Sequence, residues 1–179
     1  TPQDSGTQEA PIIYEAYPDE TPVLSVGVAL PGWHQSRGPA IPLPARDHVW
    51  TAEVPGVKQG QWDFHQLFVD SKRMTRARSP NRGFYYFDGL ISSSLPAHFQ
   101  FYGQDIRSSW EKEGDVEIVA LQNWAEMRTP IQSVDEASHT VTLTGHRQPF
   151  TEQNARYWVE NTLDALDAQL AGVRVHETP

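Results

Sequence analysis

The chain has 179 residues, enough for one domain to bury a core without staples, and its 38% apolar and 21% charged residues place it outside the disordered regime. Its 23 acidic and 14 basic residues give a formal charge of −9, which opposes a phosphate backbone, so nucleic acid is not an expected partner. With no Cys there is no disulfide frame, thiolate metal site or Cys nucleophile, and no apolar run reaches the roughly 18 residues that span a bilayer.

Fourteen Pro and 12 Gly are spread along the chain, the punctuation expected of short strands and frequent turns. The start at Thr1, without Met, is read as that of a mature or excised segment. Residues 11–17 and 22–26 are runs of β-formers separated by Pro18-Asp19-Glu20, and predict two short strands. From Leu30 to Arg46, Pro31, Gly32, Gly38, Pro39, Pro42 and Pro44 block continuous ladders and mark the best internal boundary. A strand is predicted over 48–54. Residues 66–70 and 73–78 form the arms of a hairpin turning at Asp70-Ser71-Lys72, followed by an aromatic strand over 84–87.

Asp105 reads as a helix cap ahead of Ile106 and Trp110, which are four apart and predict one or two helical turns. Strands follow over 116–121 and 126–129, then a hairpin of 131–134 with 140–144 across the polar turn 135–138. Residues 156–160 predict a last strand, and Asn161 a cap for a short helix over Leu163, Leu166 and Leu170; the tail after Gly172 is expected to be loose. The fold class is therefore mainly β: a small antiparallel β-barrel or sandwich-like domain with one or two short helices.

No glycine cluster of the nucleotide-binding kinds and no GxSxG elbow occurs, and no cofactor is expected. The seven His lie at least seven residues apart, so no local zinc motif exists, although ligands from separate strands stay open. A glycosidase needs only two carboxylates at a suitable separation. Asp105, Asp115, Glu117, Glu126 and Glu160 are candidates in that sense, against solvated strand faces or caps as the plainer reading. Arg76 and Arg78 share a strand face by the period of two and could bind a carboxylate or a sugar hydroxyl.

Six Trp are many for this length, and an exposed indole stacks on the apolar face of a pyranose. Trp50 and Trp158 sit inside strand patterns and read as core; Trp33 and Trp62, beside Pro31-Gly32 and Gly60-Gln61, read as exposed.

The blocks Asp4-Ser5-Gly6-Thr7, Ala10-Pro11-Ile12-Ile13-Tyr14, Ala16-Tyr17-Pro18 and Pro22-Val23-Leu24-Ser25 resemble the N-terminal coils of secreted right-handed parallel β-helix glycoside hydrolases. Residues 66–70 with 73–81, Val116-Glu117-Ile118-Val119, Trp124, the hairpin through Val134 and Val141, and Tyr157-Trp158-Val159-Glu160-Asn161 resemble the small antiparallel barrel inserted near the start of those helices. Asp70-Ser71 stands where the family tends to use Asn-Gly, and 168–172 departs from its pattern. The resemblance covers 4–30 and 48–167 and implies four parts: β-helix-like strands over 1–30, a connection over 31–47, the barrel over 48–167 and a tail over 168–179. It also implies secretion or a periplasmic location, and catalytic carboxylates on later coils, so that none is carried over onto this chain.

The expected function is a non-catalytic carbohydrate-binding or substrate-cleft module contacting polysaccharide or oligosaccharide through Trp33, Trp62, Arg76, Arg78, Tyr85 and Trp124, with no metal and no membrane partner. The alternatives are a glycoside hydrolase complete in this chain, using two of Asp105, Glu117, Glu126 and Glu160, and a structural fragment without a ligand. Self-association through exposed strand edges is a further expectation.

Overall fold

The computed structural model describes residues 4–36, 38–39, 41–57, 59–91, 96–122, 124–144, 154–166 and 172–173, with backbone alone at 89–91 and 172–173. The chain divides into two compact units, Thr1–Leu30 and Pro31–Pro179.

Within the first unit the described residues form no strand. Local bonds shape it: the Thr7 hydroxyl accepts from Ala10 N at 3.0 Å, and the chain reverses at Asp19, φ 68°, where Glu20 N donates to Tyr17 O at 3.0 Å. The two strands expected over 11–17 and 22–26 are therefore corrected to extended chain without a ladder. β-propensity describes a fit to a pleated, half-covered surface, and within this segment Ile13, Tyr14, Leu24 and Val26 have no such surface around them.

The second unit holds all the ladders. β1 (His34–Gln35) and β2 (Trp50–Thr51) pair antiparallel, as do β3 (Phe68–Val69) and β4 (Lys72–Arg73). The β3–β4 turn is Asp70-Ser71, at φ 49° and 62°, so both residues take the left-handed conformation that lets a two-residue loop follow the strand twist. β5 (Thr75–Arg76) pairs in parallel with β13 (Gly172–Val173), so Val173, the first residue of the tail expected to be loose after Gly172, belongs to a ladder.

The remaining strands are β6 (Arg78–Ser79), β7 (Tyr85–Ile91), β8 (His98–Phe101), β9 (Glu117–Leu121), β10 (Glu126–Asp135), β11 (Thr140–Leu143) and β12 (Arg156–Glu160). They pair antiparallel in the order β6-β12-β7-β8-β11-β10-β9, and β12 also pairs with β9. The ladder thus closes on itself as a six-strand ring of β7, β8, β11, β10, β9 and β12, a small barrel in which each strand has a partner on both sides. β6 and β7 share one edge of β12: Val159 and Glu160 pair with Ser79 and Arg78, while Arg156 and Tyr157 pair with Tyr86 and Tyr85.

Alternation fills the ring. Ile118 and Ala120, Tyr157 and Val159, Phe99 and Phe101, and Val141 and Leu143 sit two apart on their strands and are all fully buried. Phe87 lies 4.2 Å from Phe99 and 5.2 Å from Tyr157, ring centre to ring centre. Such rings contribute about 1.5–3 kcal/mol each by burial, so this aromatic cluster is the main cohesive element of the barrel.

The strands expected over 126–129 and 131–134 are one strand. β10 changes partner at Pro130, pairing with β9 through 126–130 and with β11 from Ile131 on. Pro130, which has no N–H, sits at this changeover and accepts from Thr144 N at 3.0 Å. The helix expected near Asp105 is a 3₁₀ turn at Ser108–Glu113. Asp105 does not cap it; Arg107 holds the cap position without a side-chain bond, and Glu136 accepts from Ser108 N at 2.7 Å. Trp110 enters the core, its Nε1 donating to Asp164 at 3.0 Å.

The expected helix after Asn161 is a bend and turn over 161–166, with Leu170 outside the described residues. Asn161, at φ 68°, donates instead to Asp115 O at 3.0 Å, and Glu113 accepts from Leu163 N at 2.8 Å.

Candidate functional site

Two surfaces of the second unit gather the candidate residues. The first is the short β1–β2 ladder. Gln35 and Trp50 are register partners, His34 and Thr51 are the other pair, with His34 Nε2 and Thr51 Oγ1 3.1 Å apart, and Trp33 directly precedes β1. Trp33 is 42% exposed and Trp50 59%. The core placement of Trp50 is therefore corrected. A strand pattern shows that one face alternates with another, whereas only the tertiary fold shows which face another layer covers.

The second surface is the outer face of β9, β10 and β12, where Glu117 and Glu160 are register partners. Arg76 Nη1 lies between them, 2.5 Å from Glu117 Oε2 and 3.4 Å from Glu160 Oε2. Glu160 also accepts from Arg128 Nη1 and, at 2.7 Å, from Trp158 Nε1; Arg128 reaches on to Glu126 at 2.9 Å. His65 Nε2 lies 3.3 Å from Glu117 Oε2 and 4.0 Å from Asp63. Burial pushes the Arg128 guanidinium down, but Glu160 and Glu126 outweigh it and hold Arg128 above its usual range.

Three of the candidate carboxylates, Glu117, Glu126 and Glu160, are thus brought together. A glycosidase acid must hand a proton to a leaving oxygen. Glu117 and Glu160 instead direct their oxygens to guanidinium, imidazole or indole groups of the same chain, which makes the cluster a lock between β5 and the barrel wall.

Asp105 stands apart from it, beside the Tyr157 hydroxyl in the barrel. Burial pushes the Asp105 carboxyl above the usual aspartate range, and Tyr157 offsets part of this. Burial, then Asp105, pushes the Tyr157 phenol up; its buried hydroxyl makes no hydrogen bond of standard geometry.

The other expected ligand residues are spread out. Arg78 donates to Pro80 O at 3.0 Å and Gly83 O at 2.6 Å, and its guanidinium lies 4.6 Å from the Trp158 ring. Burial lowers its pKa, with Glu160 opposing. Tyr85 is partly buried against the core, its hydroxyl 2.8 Å from Ser79 Oγ. Trp62, expected to be exposed, is half-buried: Nε1 donates to Pro55 O at 2.9 Å and the ring lies so close to Gly56, φ 86°, that a Cβ there would meet Nε1 at 2.9 Å. Trp124, in the turn between β9 and β10, is 98% exposed.

The sequence reading missed Trp50, His65 and Arg128. Arg128 shares a strand face with Glu126 two residues away, whereas only the tertiary fold brings Arg128 to Glu160 and His65 to Glu117. Among the described residues no group of three His, Asp or Glu could hold a metal ion, and no helix is long and apolar enough to cross a membrane. Comparison with family models, curated proteins and solved structures found no match to this chain.

Proposed function

We propose that the chain is a non-catalytic polysaccharide-binding module whose contact surface is the indole pair Trp33 and Trp50. The observation that carries this reading is that Trp50, in the β1–β2 ladder, and Trp33, the residue directly before β1, are both substantially exposed. Exposed indoles offer flat apolar faces on which the C–H faces of sugars can stack. Two such contacts support weak binding that gains from many sites along a polymer. The resemblance to β-helix carbohydrate-active proteins supports the same ligand class from a separate direction.

Affinity electrophoresis through gels containing soluble polysaccharides tests the reading. Retardation in at least one gel is expected, reduced for Trp33→Ala and Trp50→Ala while the melting temperature is unchanged. Mobility equal to that of an inert protein in every gel overturns it.

A further inference from the structure

We infer that the β3–β4 hairpin is a second glycan contact whose Phe68–Arg73 face takes a carboxylate-bearing sugar, a uronate. The inference rests on the binding reading above for its ligand class and shares no residue with the Trp33–Trp50 surface. Phe68 is 57% exposed and Val69 46%, and Asp70, Ser71, Lys72 and Arg73 are exposed as well. Phe68 pairs with Arg73 and Val69 with Lys72; directly opposed residues share a face, and neighbours along a strand alternate. One face of the arm thus carries an aromatic ring and a guanidinium, their Cβ atoms about 4.5–5.5 Å apart, and the other carries Val69 and Lys72. The arm is seated at its base, where Met74 N donates to Leu67 O at 2.8 Å and both residues are half-buried.

Charge complementarity points to an anion. In a chain of formal charge −9, residues 64–87 hold five basic residues and one acidic. Arg76 and Arg78 are occupied within the fold, by Glu117 and Glu160 and by the carbonyls of Pro80 and Gly83. Among the described residues no carboxylate lies within ion-pair distance of Lys72 or Arg73, so these two cations face outward on the arm.

The kind of anion follows from the pairing. A uronate bears its carboxylate directly on the pyranose ring, so one sugar presents a C–H face to Phe68 and an anion to Arg73, whose planar fork takes a carboxylate through two parallel bonds. An acidic peptide supplies the anion without a flat apolar face fixed beside it. An anionic bilayer would meet the end of the arm first, and Asp70 at that end is itself an anion. A phosphate backbone needs a track of cations, whereas the two here lie on opposite faces.

Those opposite faces supply the test, because long-range charge alone would make Lys72 and Arg73 equivalent. The chain and its variants are run through gels containing alginate or neutral mixed-linkage β-glucan, at about 20 and about 500 mM NaCl, each referred to a polymer-free gel. Alginate should retard the wild type, less at the higher salt. Arg73→Gln and Phe68→Ala should each weaken this by about fivefold or more, Lys72→Gln by less than about twofold, and Arg73→Lys by an intermediate amount, with melting temperatures unchanged. Equal losses for Lys72→Gln and Arg73→Gln overturn the inference, as does displacement by polyglutamate, an oligothymidylate or phosphatidylserine vesicles as readily as by free alginate. Retardation by β-glucan without retardation by alginate overturns it while leaving the binding reading in place. Absence of retardation in both gels and in every other polysaccharide gel overturns the two together.

Discussion

Glu117 and Glu160 face each other across the β9–β12 ladder, and a single nitrogen of Arg76 bonds both, at 2.5 and 3.4 Å. Directly opposed like charges destabilise a ladder. The pair is tolerated because Arg76 bridges it and Arg128 takes the second side of Glu160. All three of Arg76, Glu117 and Glu160 are largely shielded from solvent, so the contacts are worth more than surface ion pairs.

Removing the bridge should therefore cost far more than an exposed pair. Arg76→Ala is expected to lower unfolding free energy by about 3 kcal/mol in urea, because two carboxylates stay opposed without their shared cation. Glu117→Gln in the Arg76→Ala background should recover part of the loss, giving an interaction of about 1 kcal/mol or more in the double-mutant cycle. Strict additivity would show that the bridge is incidental.

The β3–β4 turn offers a gain. An L-residue in the left-handed region costs roughly 1–2 kcal/mol, and Gly gives back about 0.5–1 in chain entropy, so Ser71→Gly should stabilise the hairpin by up to about 1 kcal/mol. Slower hydrogen exchange of the Met74 amide, which donates to Leu67 O at 2.8 Å, reports it. Ser71→Val should speed the same exchange.

Asp105 predicts a pH dependence. Its carboxyl titrates higher in the folded chain than in the unfolded one, since burial disfavours the charge. The folded state thus suffers no penalty below the ordinary aspartate range, and loses stability as pH rises through the folded value. Asp105→Asn, which keeps an oxygen acceptor for Tyr157, should raise the melting temperature at pH 7 and leave it unchanged near pH 3. Equal effects at both pH values would rule the charge out as the cause.

Arg78 should not tolerate Lys. The planar guanidinium reaches Pro80 O and Gly83 O together and covers Trp158, closing the loop that carries the chain from β6 to β7. A lysine ammonium cannot make the forked pair, so Arg78→Lys is expected to cost about 1–2 kcal/mol in chemical denaturation. A loss as small as that of an exposed Arg82→Lys control would contradict it.

The mainly β class, the hairpin at Asp70-Ser71 and the hairpin from Ile131 to Leu143 are written in local pattern, because alternation, β-branching and turn residues act over a few neighbours. Closure of the ring, the meeting of Glu117 with Glu160 and the exposure of Trp50 depend on segments as much as 84 residues apart, such as Arg76 and Glu160. Register and layer covering are collective properties: a strand's own residues mark two faces, and the rest of the chain decides which of them stays in water.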